Sequence, residues 1–280
     1  MPFFALKFMA KYPHVKLYKE SELGWLSDER GLPYWTYDAP LLMRDAKWLQ
    51  FWAGAMIRTV GGGEVSVIDI RPASAFNQGH IASAVNVPVD TFKTAFRNPA
   101  TLADVLGPAG VDSLHEAVLV SGAGFTKDAA LAFVALEKLG QKKVSILMDA
   151  TDGWSARGLK VTTETTSVSG KPSYSGEPRP GIVAADWKAS RGAYPKVFIA
   201  SGASVPAHVP DGTVIHVPYT DLIGADGTPK PAKDIWKILS KAGVLRYAEL
   251  VCFSDDPAEA AATYVVLKLM GFPDIKVLVM

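Results

Sequence analysis

One thiol, two serines that end apolar runs, and a short glycine-rich loop are the features of this 280-residue chain whose types and spacing suit covalent or anion chemistry. Cys252 is the only cysteine. It lies inside Leu250-Val251-Cys252-Phe253, which reads as a buried strand, where a thiol behaves as a small apolar group. Asp255 and Asp256 follow it, and carboxylates there raise a thiol pKa and repel anions. Ser254 directly follows that run, as Ser121 follows Val118-Leu119-Val120. A serine hydroxyl is a poor nucleophile without a base, and neither loop has a histidine within a few residues. The loop Ser121-Gly122-Ala123-Gly124-Phe125-Thr126-Lys127 suggests something else. Small residues let backbone N–H groups turn inward, the next helix N-terminus adds partial positive charge and Lys127 a full one, making a cradle for a small anion. The same loop also reads as a plain glycine-rich connector.

The elements around these loops alternate between strand and helix. Val65 to Ile70, Ala84 to Val87, Ala117 to Val120 and Val144 to Met148 read as strands, Thr91 to Phe96 and Lys127 to Leu139 as helices, the latter ending at Gly140. Such spacing predicts parallel pairing with helices on both faces. Residues 39–59 read as an amphipathic helix in which Trp48, Phe51 and Trp52 are packing residues. Gly61-Gly62-Gly63 precedes a strand and lacks the context of a phosphate loop. A weaker repeat of the order follows: strand Lys196 to Ala200, strand Val214 to Val217, strand Leu250 to Phe253, and a helix opened by Asp256-Pro257-Ala258-Glu259. Between them, residues 161–179 are rich in Ser, Thr and Pro and read as a solvated spacer.

Val65 to Pro88 carries Asp69 and Arg71 at a strand end, then Gly79-His80-Ile81, then Ala84, Asn86 and Pro88 at fixed spacings. This set resembles the first half of the rhodanese domain. The resemblance implies an α/β fold of tandem rhodanese-like domains, each a parallel sheet flanked by helices. It divides the chain into a partial tail of such a unit at 1–37, a rhodanese-like domain at 38–161, a linker at 162–180, and a degenerate domain, possibly truncated, at 181–280. The tail is suggested by likeness: Ala5 to Tyr18 resembles Leu267 to Val279, and Trp25 and Gly31-Leu32 follow it as Gly153-Trp154 and Gly158-Leu159 close the first unit. Residues 1–37 then belong either to an upstream unit or to an addition packed on the last one.

Active rhodaneses begin the loop after the central strand with a cysteine that carries sulfane sulfur. Here those positions are Ser121 and Ser254. The resemblance also implies that Asp69, Arg71, Gly79 and His80 brace the strand ends by hydrogen bonds and ion pairing, or else line a ligand pocket. The leading expectation is a catalytically silent binding or assembly module, taking a small anion at the first loop or a protein partner. The alternative is a sulfurtransferase acting through Cys252 or a cysteine outside this chain, and a third reading is a serine-based hydrolase.

Bulk composition narrows the partners. Lys and Arg number 29 against 28 Asp and Glu, so no overall field draws the chain to nucleic acid or a membrane surface. No run of about 18 apolar residues predicts a membrane span. One cysteine cannot form an internal disulfide or by itself a metal site, and neither metal nor cofactor is expected. Multi-unit rhodaneses with Ser/Thr/Pro linkers look similar to bacterial cell-envelope proteins, which implies the bacterial periplasm or cell envelope as the expected location.

Overall fold

The computed structural model describes residues 37–52, 65–98, 100–166, 174–184 and 195–279. The expected tail at 1–37, apart from Tyr37, the second half of the helix expected at 39–59 and the triple-glycine turn lie outside them.

Strand β1 (Met43–Arg44), helix α1 (Ala46–Trp52), strand β2 (Val65–Asp69), helix α2 (Ala73–Gln78), strands β3 (His80–Ile81) and β4 (Ala84–Asn86), helices α3 (Val89–Ala95) and α4 (Ala100–Leu106), strand β5 (Glu116–Val120), helix α5 (Lys127–Leu139), and strands β6 (Lys143–Leu147) and β7 (Val161–Thr162) make the first unit. Strands β8 (Val183–Ala184), β9 (Lys196–Ala200) and β10 (Thr213–His216), helix α6 (Ala232–Lys241), strand β11 (Glu249–Phe253), helix α7 (Pro257–Leu269) and strand β12 (Ile275–Leu278) make the second. Each unit holds one five-stranded sheet, of order β1-β6-β5-β2-β4 and β8-β12-β11-β9-β10, with every pair parallel. The two orders are the same once elements are matched. β3 and β7 form a separate antiparallel pair. The central strands β5 and β11 are covered on both faces, which is why EAVLV and ELVCF are near-continuous apolar runs.

Register fixes which residues correspond. Val65 to Asp69 pair with Glu116 to Val120, and Lys196 to Ala200 with Glu249 to Phe253. The loop bonds agree: Ile70 N donates to Val120 O as Ser201 N does to Phe253 O, and Val89 N to Ile70 O as Tyr219 N does to Ser201 O. Ser254 therefore stands where Ser121 stands, Ala200 where Asp69 does, and Gly202 where Arg71 does.

The two units share a core. Alanine-rich faces of α5 (Ala129, Ala130, Ala132) and α7 (Ala260, Ala261, Ala262) let these helices pack closely, and one apolar cluster runs through both. Within that contact the buried Glu137 carboxylate accepts from Tyr264 Oη at 2.8 Å and Lys268 Nζ at 2.6 Å. Burial, with Glu137 adding to it, pushes the Tyr264 phenol up. The approach to each sheet is strapped to the opposite unit: Ala39 N donates to Leu269 O at the end of α7, and Arg179 N to Lys138 O at the end of α5. Gly140, at φ +97°, lets the second strap pass, since a side chain there would meet the Glu177 backbone.

One expectation needs correction. Residues 39–59 do not begin as a helix: Pro40–Leu42 is one 3-10 turn and Met43–Arg44 an edge strand, because Asp45 caps α1 by accepting from Trp48 N at 2.7 Å. The Arg44 guanidinium forks onto Glu116 at 2.6 and 2.9 Å and lies over the Trp48 ring. In the described parts of the Ser/Thr/Pro run most residues are exposed, and a few contacts tie it down. Thr166 Oγ1 donates to Ala84 O, Tyr174 is buried with its hydroxyl donating to Gln141 at 2.6 Å, and Ser113 Oγ donates to Ser175 O. One buried aromatic and these backbone bonds offset the ordering entropy that composition alone left uncompensated.

Candidate functional site

Parallel strands deliver their C-terminal ends to one edge, and both serines sit there. Ser121 Oγ donates to Gly124 O at 2.7 Å and accepts from Ala123 N at 3.1 Å. The loop closes on itself, a usual result for serine in a turn. Gly122 and Gly124 hold φ +81° and +73°, and side chains there would strike Arg71 and Thr151 in one case and the Met148 carbonyl in the other. Gly122 O accepts from Thr151 N. Arg71 and Thr151 thus lie directly against Gly122. Thr126 caps α5 by accepting from Ala129 N at 3.1 Å, and Phe125 is buried.

Arg71 is itself engaged. Its guanidinium donates to both oxygens of the fully buried Asp69, at 2.6 to 3.0 Å, and to Gly79 O at 2.9 Å, and it lies 5.0 Å from the Trp154 ring centroid. Asn86 Nδ2 ties the carbonyls of Asp69 and Arg71 together. His80 is buried, stacked on Phe76 at 3.6 Å, with Nδ1 at 3.0 Å from Phe76 O and Nε2 at 3.1 Å from Glu164 O. These four positions join the first strand end, the turn after α2 and the segment after β7.

The second loop has the same backbone and different chemistry. Ser254, buried where Ser121 is half-buried, donates to Glu259 Oε2 at 2.6 Å and accepts from Asp256 N at 3.4 Å. A side chain at Gly202, the counterpart of Arg71, would lie 2.8 Å from Glu259 Oε2 and 2.9 Å from Ser254 Oγ. A carboxylate occupies the side of the second loop that a guanidinium occupies in the first. Asp256 caps α7 through Ala258 N at 2.9 Å.

Lys127 is not directed into an anion cradle, as the sequence suggested, but across to the second loop: Nζ lies 2.7 Å from Asp256 Oδ2 and 4.0 Å from Glu259 Oε1. The Asp256 hydrogen bond, opposed by burial, raises the Lys127 ammonium above its ordinary range. Burial pushes the Asp256 carboxyl up, but Lys127 and the Ala258 N–H outweigh it and hold the carboxyl low. Sequence spacing gave no hint of this latch, whose partners are 129 residues apart. The Glu259–Ser254 bond was nearer to hand, since Glu259 closes the Asp-Pro-Ala-Glu helix start.

Cys252 occupies the second-last position of β11, not the loop, and is fully buried in the core shared with α7. Burial pushes its thiol far above the usual thiol range, so the one thiol of the chain is neither ionised nor reachable at neutral pH. Among the described residues no cluster of His, Cys, Asp or Glu has the arrangement of a metal site, and no helix is long and apolar enough to cross a membrane.

Fold and site together define a duplicated parallel α/β protein in which two equivalent strand-end loops, each begun by a serine, face one another. Residues 53–157 match the family model of the rhodanese-like domain. Solved structures of similar fold include wild-type EanB, 15% identical with a TM-score of 0.68 over 91% of this chain and 69% of EanB. They also include the anaerobic ergothioneine biosynthesis enzyme from Chlorobium limicola in complex with trimethyl histidine, at 14% identity and TM-score 0.68, over 90% of this chain and 69% of that enzyme. A third is SseA from Escherichia coli, a 3-mercaptopyruvate sulfotransferase, at 19% identity and TM-score 0.65, over 85% of this chain and 97% of SseA. At these identities the likeness is one of fold. No curated protein matches the chain.

Proposed function

We propose that this chain is a catalytically silent rhodanese-family protein that acts as a binding or assembly module. The observation that carries the reading is the state of the groups at the two loop starts. Each hydroxyl is committed inside the protein, Ser121 to Gly124 O and Ser254 to Glu259, while Cys252 is buried away from both loops. Sulfur transfer needs a thiolate that can reach a donor. Neither loop supplies one, and among the described residues the partners of the two serine hydroxyls are a carbonyl, a carboxylate and backbone N–H groups, with no histidine bonded to either.

The second reading is a sulfurtransferase, favoured by the chemistry that this fold carries elsewhere: one solved form of EanB holds a Cys persulfide. EanB is also solved with hercynine and with ergothioneine, which supports a small molecule as the kind of ligand. For this chain a small anion at the first loop has to compete with Asp256 for Lys127. The test is turnover of thiosulfate and of 3-mercaptopyruvate with cyanide as acceptor, on the chain as it stands, after thiol alkylation and as Cys252→Ala. The silent reading expects no turnover in any of the three. Turnover that alkylation and Cys252→Ala both abolish establishes the sulfurtransferase reading, and turnover that survives both establishes a serine-based or other mechanism.

A further inference from the structure

Arg71 keeps one edge of its guanidinium without a partner. Arginine presents its N–H groups as a planar fork of five donors. Those on Nε and Nη2 are taken by the two oxygens of Asp69 and by Gly79 O, and the central carbon lies over the Trp154 ring, 5.0 Å from its centroid. The N–H groups of Nη1 bond to nothing among the described residues, although the side chain is only 13% exposed. In a fork held side-on through Nε and Nη2, Nη1 lies on the Cδ side. Cδ is the atom that lies against Gly122, where an added Cβ would stand 2.7 Å from it. The open edge therefore belongs to the start of the Ser121 loop. It is also fixed in advance: Asn86 Nδ2 donates to the carbonyls of Asp69 and Arg71, each at 2.9 Å, so little freedom is left for a ligand to remove.

We propose that Arg71 Nη1 is the holding group of a subsite for a small tetrahedral oxyanion at the start of the first loop. This rests on the reading of that loop as a place for a small anion, and names the group that does the binding. An anion held there need not displace Asp256 from Lys127. Asp69 cancels the charge of Arg71 at a distance, so the hold comes from directed, charge-assisted N–H bonds at contact range and not from a steering field. Gly122 keeps the approach clear: at φ +81° a side chain would be strained, and its Cβ would stand 2.7 Å from Arg71 Cδ and 3.0 Å from Thr151 Cγ2. The second loop has no such donor. Ala200 and Gly202 stand in register with Asp69 and Arg71, and a Cβ at Gly202 would lie 2.8 Å from Glu259 Oε2, so a carboxylate fills the space that the anion would need. Of the two equivalent loops, the first takes an oxyanion and the second repels it.

Calorimetric titration of the full chain with inorganic phosphate at fixed ionic strength tests it, comparing Arg71→Lys with Lys127→Met. Arg71→Lys keeps a cation for Asp69 but has no second edge to offer, and is expected to weaken binding about tenfold or more. Lys127→Met is expected to change it less than about threefold. A second readout needs no variant: in nitrogen-15 spectra of the unaltered chain the Arg71 side-chain resonances are expected to shift and saturate over the same phosphate range. Binding that leaves those resonances unmoved overturns the proposal. Binding lost in Lys127→Met and kept in Arg71→Lys puts the anion at the latch, which overturns the proposal and leaves the small-anion reading standing. No binding of phosphate by the unaltered chain overturns both.

Discussion

The two strand-end loops share a backbone and differ in charge. Ser121 and Ser254 occupy one register position, accept from the N–H two residues on, and precede a capped helix. Around Ser121 the neighbouring ionic side chain is Arg71, neutralised by the buried Asp69. Around Ser254 the corresponding pair is reduced to Gly202 and Ala200, and Glu259 fills the space. The difference shows that the serine, not its setting, is what the two loops have in common. A loop flanked by a guanidinium and one flanked by a carboxylate both begin with a hydroxyl.

The sharpest way to break the comparison is to put a thiol in each loop. At Ser121 it would receive the Ala123 N–H beside Arg71 and the start of α5, and Ser121→Cys is expected to take one sulfur from thiosulfate. At Ser254 it would face Glu259 and Asp255, which raise its pKa and repel the anion, and Ser254→Cys is expected to take none. Intact mass distinguishes the two.

Next in size is the buried pair found only in the first unit. Asp69→Ala leaves Arg71, 13% exposed, without its carboxylate and is expected to cost about 3 kcal/mol in urea denaturation. Asp69→Ala with Arg71→Gly, which copies the second unit, should cost clearly less, because no charge is stranded. Equal losses would mean that the pair is not coupled.

Removing the acceptor of Ser254 is smaller. Glu259→Ala takes a charge-assisted hydrogen bond at 2.6 Å and is expected to cost about 1 to 2 kcal/mol. Ser121→Ala, which loses a bond between neutral groups, should cost nearer 1 kcal/mol in the same denaturation measurement.

Smallest is the latch between the loops. Lys127 and Asp256 are 40% and 43% exposed, and Lys127→Met is expected to cost under about 1 kcal/mol, falling with added salt. The sign with pH follows from the two directions. The raised Lys127 contributes fully below its ordinary 10.5 and loses that as pH rises through its higher folded value. The depressed Asp256 contributes above 3.8 and loses it as pH falls through its lower folded value. The stability difference between the chain and Lys127→Met should therefore be flat between those limits and shrink outside them.

How far the sequence could be read follows from where each signal lies. The central strands and α5 were legible to within a residue, because apolar runs, a Thr126 cap and a closing Gly140 are local. α2 is six residues behind Pro72, too short for periodicity to register. α6 carries a local signal as well: Ile235, Trp236 and Leu239 fall at helical spacing after Pro231. The edge strands β1 and β8 have two residues each and owe their form to the partner strand. Of the site, the positions of Ser121 and Ser254 and the burial of Cys252 were readable from runs. The targets of their hydroxyls and of Lys127 were not, since register and packing between units decide them.

The central claim is that this chain, as it stands, accepts no sulfur. Intact mass after incubation with thiosulfate, with and without cyanide, tests it most directly. The account predicts an unchanged mass in both samples. A gain of one sulfur that cyanide removes and Cys252→Ala prevents would contradict it and put the chemistry on the buried thiol.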